Sequence, residues 1–476
     1  MDRKWWTLAG TCAGLFLLML DSTVVALALP SIRRDVGAGA AGLQWVMNAY
    51  LLAVAIFVVT AGRLGDAFGR KRLFLAGLVL FALGSALSGA AGDEHVLIAG
   101  RVLQGLGAAP MLPLSLAIVC NAFPPGEQAR ALGIWAGISA LALGIGPLAG
   151  GVLVEIDWRV IFWINLPVAI AGFAITALAA PESTDPTSGR RIDLPGLLAL
   201  SAGLTLVVLA LVQSRVWGGA LLAAMAVAGI LALLAFWRIE HRVADPIVDF
   251  SLFRNGPYFG ASAAAFCLVG AYWVVMFFQP QYLQDVRGHS AALSGAMILP
   301  VTVPMIVISP FSGRLIARFG ARRLMSAGMG AGVLGLALLT QLGPSTSYAL
   351  LAAGYLLFGI ALGLVYAPMS TAAMAAMPAE KVGIASGVLA MDRVMAGAVA
   401  LAGVGAAVHA LQAGGSSFAA AIGTSTWIVV ALCAAGAILT WAFVRDTRPV
   451  GPDPAVAGDP PAAQRHHHAH HLRFHL

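Results

Sequence analysis

Two acids, Asp21 and Asp392, stand alone within long apolar stretches, and two arginines, Arg101 and Arg393, do the same. A charge inside hydrocarbon is costly and marks function. A proton-driven process needs a carboxyl group whose proton affinity is moved by burial and by a nearby cation. Asp21 is therefore the first candidate proton site, and Arg101 is the cation expected to hold it ionised. A static ion pair that only orients two helices is the plainer alternative. Asp392 and Arg393 are adjacent, so on a helix they point about 100° apart. Each is expected to find a partner on a different helix. Asp392 is a candidate for recognising a cation or binding a second proton, against a purely structural contact. Gln44, Asn48, Gln104, Asn165, Gln279 and Tyr366 are polar candidates for lining a cavity, each weighed against a structural role.

The elements that must hold these residues are membrane helices. Hydrophobic residues make up 60% of the 476 and charged residues 10%, against about 25% charged in a typical soluble domain. So few charges cannot cover a soluble surface, whereas a bilayer removes the need. Apolar stretches of spanning length fall near 8–30, 43–62, 73–92, 96–121, 130–154, 159–180, 194–213, 219–238, 257–283, 291–313, 323–343, 347–374, 382–411 and 421–444. With the N-terminus cytoplasmic, 21 Lys/Arg lie on the inner side and five outside. That asymmetry predicts both termini inside. Ala-, Gly- and Arg-rich usage with three lysines predicts a bacterial inner membrane.

Composition also excludes. No lysine follows a glycine, so the core of an ATP-binding Walker loop is missing. The net charge of +7 lies in short loops rather than along one face, which argues against nucleic acid. The four cysteines are far apart in apolar segments, and no histidine falls near the middle of a span, so neither a disulfide frame nor a metal site is expected. No cofactor is expected. The His-rich run near Arg465 is read as part of a solvated or appended tail.

Gly62-Arg-Leu-Gly-Asp-Ala-Phe-Gly-Arg-Lys-Arg-Leu73 joins spans 2 and 3 and returns at Gly313–Leu324 between spans 10 and 11, with seven of twelve positions identical. Such repetition is the mark of a duplicated membrane unit with a site between its halves. The offset of eight spans implies two six-helix units with an extra pair between them. The predicted organisation is residues 1–180 as the first bundle, 181–256 as the inserted helices 7–8 with flanking loops, 257–446 as the second bundle and 447–476 as a disordered tail. The loop reads as a gate, with Asp66 expected to accept hydrogen bonds from a helix N-terminus and Arg70 at the inner surface. Gly62 and Gly69 are expected to allow tight turns and close approach. In span 5, Gly146, Pro147, Gly150 and Gly151 are expected to form a close-packed hinge, against ordinary small-residue packing.

These motifs resemble the major facilitator superfamily, specifically its fourteen-helix drug:proton antiporter branch. Gly62–Arg72 matches the loop 2–3 signature, and Arg101-Val-Leu-Gln-Gly-Leu-Gly-Ala-Ala109 matches that of helix 4, whose arginine is associated with proton coupling. Gly146-Pro147-x2-Gly150-Gly151 matches the antiporter signature of helix 5, and Leu20–Pro30 the helix 1 signature of the branch. Trp158–Pro167 and Pro246–Arg254 are similar to branch hallmarks. The resemblance implies an all-α polytopic fold of two six-helix bundles plus an inserted helix pair, alternating access, and export of amphipathic, possibly cationic, drugs or biocides in exchange for protons. The implied partners are a small-molecule substrate and the lipid bilayer, with a monomer the expected state. The sequence departs from the branch at Ala26, Ala142, Ala317 and Asp392. Rival readings are a dedicated exporter of one metabolite or self-made antibiotic, a polytopic membrane enzyme, and a transporter-like sensor; no catalytic set supports the enzyme.

Overall fold

Backbone amides in lipid must be satisfied within their own segment, so a chain this apolar folds as helices. The computed structural model describes residues 2–184, 193–214, 217–243, 246–378 and 381–445. The tail 447–476 with its His run lies outside the described residues, as does most of the loop 181–192. The first bundle comprises α1 (Arg3–Val36), α2 (Ala40–Phe68), α3 (Arg70–Gly89), α4 (Glu94–Ala122), α5 (Pro125–Ile156) and α6 (Val160–Ala179). Two further helices follow, α7 (Leu194–Val212) and α8 (Gly219–Glu240). The second bundle comprises α9 (Gly256–Val286), α10 (Ala291–Phe319), α11 (Ala321–Leu338), α12 (Tyr348–Ala375), α13 (Val382–Ala413) and α14 (Phe418–Phe443). Thirteen of these are long and apolar enough to cross a membrane. Arg322, Arg323 and four glycines dilute α11, whose packing against α12 and α14 places it in the same layer.

Several helices outrun the predicted spans. Helix α1 continues through Pro30 and stops at Gly37, whose φ of 68° ends it in the left-handed region. The stretch 62–73, expected as a loop, is mostly helix. Helix α2 runs to Phe68 and α3 begins at Arg70, with Gly69 alone as the break at φ 123°. Its duplicate, Gly320, separates α10 from α11 at φ 81°. Both values lie where a side chain is strained, so the repeat needs glycine at this position.

The bundles meet along two seams, α5 with α10 and α2 with α13. Under the offset of eight, each seam is the duplicate of the other. Helix α7 packs on α2 and α13 beside one seam, and α8 packs on α7. Leu221, Val227, Ile230, Leu231 and Leu234 of α8 remain exposed, a face suited to lipid.

At the end bearing the α1–α2 and α9–α10 connections the bundles are closed on each other. Arg33 pairs with Asp285 at 3.0 Å, Gln284 Nε2 donates to the Leu27 carbonyl at 3.0 Å, and the Ala292 amide donates to Glu155 at 3.2 Å. At the opposite end, which carries the Gly69 and Gly320 breaks, an added Cβ at Gly133, Gly137, Gly313 or Gly387 would meet nothing within 4 Å. A cavity of about 100 Å³ lies between the bundles.

Candidate functional site

Asp21 sits midway along α1, its carboxylate fully buried. Arg101 of α4 is likewise buried and donates through Nη1 to Asp21 Oδ2 at 2.5 Å and to Gln104 Oε1 at 2.8 Å. Its Nε donates to the Val46 carbonyl of α2 at 3.0 Å. Gln104 lies one turn beyond Arg101, and its Nε2 donates to Asp21 Oδ1 at 3.1 Å. Asn165 of α6 donates to the same oxygen at 3.3 Å and to Ser85 of α3 at 2.9 Å. The carboxylate thus faces an opposite charge and two carboxamide donors. A buried pair stripped of one partner leaves a charge uncompensated, a penalty of about 3–5 kcal/mol. Loss of the Asp21 charge would therefore weaken what holds α1, α4 and α6 in this arrangement.

Tyr50 of α2 connects this cluster to the cavity. Its ring stacks on the Arg101 guanidinium at 4.4 Å, and the same residue lines the cavity. Ser22, next to Asp21, also lines it. The rest of the lining is apolar and aromatic, including Leu18, Met19, Tyr272, Trp273, Met305 and Tyr366, with Arg393 as the one charged residue among the described residues that line it.

The predicted residues therefore divide. Asp21, Arg101 and Gln104 come together, joined by Asn165. Arg393 and Tyr366 meet in the cavity, the guanidinium 5.3 Å from the ring centroid. Asp392 is turned out of the cavity, against the expectation of a substrate contact. It accepts from Ser262 Oγ of α9 at 2.9 Å, because the 100° between neighbours sends one to the cavity and the other into the α9–α13 contact. Gln279 is also removed from the cavity, accepting from Tyr355 Oη of α12 at 2.7 Å. Asn48 is buried with neither carboxamide atom hydrogen-bonded, and it does not line the cavity. Gln44 lies at the closed end, flat against Gly405 of α13. Tyr50, Tyr272 and Trp273 were not anticipated; an aromatic residue within an apolar helix carries no spacing signal.

The expected gate differs in detail. Asp66 accepts from Arg70 Nε at 2.7 Å across the Gly69 break rather than from a helix N-terminus. That role falls to Glu182 beyond α6, which accepts from the amides of Lys71 at 3.0 Å and Arg72 at 3.2 Å. A carboxylate there complements the positive end of α3. Arg63 of α2 donates to the Pro246 carbonyl in the α8–α9 linker. Asp249 of that linker pairs with Lys381 at 2.9 Å. Burial pushes the Asp249 carboxyl up, but hydrogen bonds from Ser251 and Lys381 outweigh it and bring its pKa below the ordinary carboxylate value.

In the expected hinge, Gly146 and Gly150 face Thr23 and Val24 of α1, while Gly151 faces Ala291 of α10. Across the same seam, a Cβ on Gly295 of α10 would lie 2.2 Å from the Pro147 carbonyl oxygen. Backbone touches backbone here, which only small residues permit. Among the described residues, no group of three or more His, Cys, Asp or Glu could hold a metal ion.

Asp392→Asn is expected to weaken cationic and neutral substrates alike, since the side chain bridges helices. Substrate titrations on the variant check this, and a loss confined to cations would return Asp392 to the binding site.

The model of the Major Facilitator Superfamily matches residues 11–401. The multidrug resistance protein Stp of Mycobacterium tuberculosis is 36% identical, over 85% of this chain and 76% of its own length. The puromycin resistance protein pur8 of Streptomyces alboniger is 34% identical, over 97% of this chain and 96% of its own. In fold, the xylose transporter XylE from E. coli, in a partially occluded inward open conformation, gives a TM-score of 0.65 at 16% identity, covering 94% of this chain and 98% of that one. The chain belongs to the Major Facilitator Superfamily and is a multi-pass membrane transporter of the efflux type.

Proposed function

We propose that the protein exports amphipathic compounds across a bacterial inner membrane in exchange for protons, with both termini cytoplasmic. The observation that carries this reading is the buried Asp21–Arg101 pair next to the cavity. The excess of Lys/Arg on one side supports the orientation, under which the end bearing the Gly69 and Gly320 breaks faces the cytoplasm. Substrate enters the cavity from that side. A proton that reaches Asp21 removes the charge facing Arg101 and biases the equilibrium between the inward- and outward-open states. No other cofactor enters this reading, and a monomer suffices for it.

The repeated loop supports a gating role. When the bundles rock, the carboxylate of Asp66 can exchange Arg70 for a donor on the opposite bundle. Asp66→Ala is expected to slow turnover about 10-fold, the scale of one charge-assisted hydrogen bond. Substrate affinity should stay within about twofold. An affinity defect with normal turnover contradicts the gate.

The names of the relatives divide between multidrug resistance and single compounds such as tetracenomycin C in Streptomyces glaucescens. A cavity whose described lining carries one charged residue favours a narrow substrate set as the second reading; a panel of unrelated dyes and biocides separates the two. Proton coupling is tested in proteoliposomes containing no ATP. An imposed pH gradient should drive a dye against its own gradient, and a proton ionophore should stop it. Uphill movement that survives the ionophore contradicts the proposal.

A further inference from the structure

Arg393 is a permanent cation at mid-membrane on the cavity wall. Among the described residues it makes no ion pair and no hydrogen bond. Its one ring partner is Tyr366 at 5.3 Å, which compensates a guanidinium only in part, and the neighbouring Asp392 carboxylate acts on it through space without forming an ion pair. The two acids of the membrane interior are both engaged elsewhere, Asp392 with Ser262 and Asp21 with Arg101. Among the described residues, no carboxylate lines the cavity. A charge at this depth with no ion pair or hydrogen bond is expensive to keep, and a half-buried guanidinium on the cavity wall can take a partner from the cavity.

We propose that the cavity binds amphipathic aromatic anions, flat ring systems bearing a carboxylate or an ionised phenol, with Arg393 as their counter-ion. The inference rests on the reading of the chain as an exporter and reverses the charge preference that Asp392 suggested from the sequence. A guanidinium forks onto a carboxylate through two parallel N–H bonds, which water does not reproduce. Tyr272 and Trp273, edge to face with centroids 5.8 Å apart, supply flat apolar surface for the rings. The Tyr272 hydroxyl is buried without a hydrogen-bond partner, a second polar group free to take a ring substituent. A cation entering the same space meets a like charge and no acceptor carboxylate. Coupling follows in kind: an anion moving out and a proton moving in both carry positive charge inward, so an inside-negative potential drives the exchange.

The test compares two xanthene dyes of similar shape and opposite charge, fluorescein and rhodamine 123. Each is titrated into the purified full-length protein and followed by anisotropy. The native protein should bind fluorescein at least about 10-fold more tightly, the scale of one charge-assisted contact. Arg393→Gln should erase that ratio, and Arg393→Lys should restore part of it, keeping the charge but losing the fork. A native protein that fails to bind fluorescein, or prefers rhodamine 123, overturns the proposal, and neither result depends on a variant folding. An equal loss of both dyes in Arg393→Gln overturns it as well. Because binding is read without a gradient, the two readings fail separately. Fluorescein bound but moved without proton flux sinks proton coupling alone, and proton-driven export of rhodamine 123 with no fluorescein binding sinks the anion site alone.

Discussion

Asp21→Asn is expected to leave the protein in the membrane, still able to bind its substrate, and to end uphill efflux. Asparagine has nearly the same shape and can still accept from Gln104 and Asn165, which reach Asp21 Oδ1 at 3.1 and 3.3 Å. It can neither carry the charge opposite Arg101 nor take up a proton. The lost charge-assisted bond is worth roughly 3 kcal/mol, and each 1.4 kcal/mol is a factor of ten. Active transport should fall by about 100-fold or more, while substrate equilibrates down its gradient. Surface expression, dye binding and the steady-state accumulation ratio in cells separate these effects. Retained uphill efflux with normal expression removes Asp21 from the mechanism.

Gly295→Ala is expected to open the end that is closed here. The new methyl carbon would stand 2.2 Å from the Pro147 carbonyl oxygen and 2.9 Å from Leu27, against roughly 3.3 Å for a carbon resting on a carbonyl oxygen. The oxygen belongs to the α5 backbone and cannot rotate away, so the α5–α10 seam must part by about 1 Å. A Cβ added at Gly151 would lie 2.6 Å from the Ala291 carbonyl oxygen on the same seam, which leaves no slack there. The Arg33–Asp285 pair and the Gln284–Leu27 bond depend on the same approach. Gln281, buried at this end, offers a reporter. A cysteine placed there, labelled by an impermeant thiol reagent, should react at least about 10-fold faster in the Gly295→Ala background, a shift of about 1.4 kcal/mol between states. Unchanged protection would mean that the seam does not control closure.

Much of this was legible from residue types. Fourteen apolar stretches, one duplicated loop and an offset of eight spans lead to the observed architecture, because lipid leaves the backbone no alternative to helices. Asp21 and Arg101 were legible as partners through rarity: 80 positions apart, they are the acid and base of the first bundle's interior. Direction was not legible. Adjacent residues diverge by about 100° on any helix, but which of Asp392 and Arg393 meets the cavity depends on the rotation of α13, set by its packing against α9 and α2. Contacts across unrelated segments were equally hidden. Glu182 caps α3 from 111 positions away, and Arg33 finds Asp285 on the other bundle, pairings that only the closed arrangement creates. Nothing in the sequence distinguishes Tyr50 from the other aromatics of apolar helices, yet its ring lies on Arg101.

Energised inside-out vesicles test the central claim most directly. Their lumen is acidified, a substrate dye is added, and luminal pH is followed for the native protein and for Asp21→Asn. The account predicts rapid proton release on addition of dye to native vesicles and none with the variant. Dye uptake by native vesicles with no proton release, or equal release by both proteins, contradicts it.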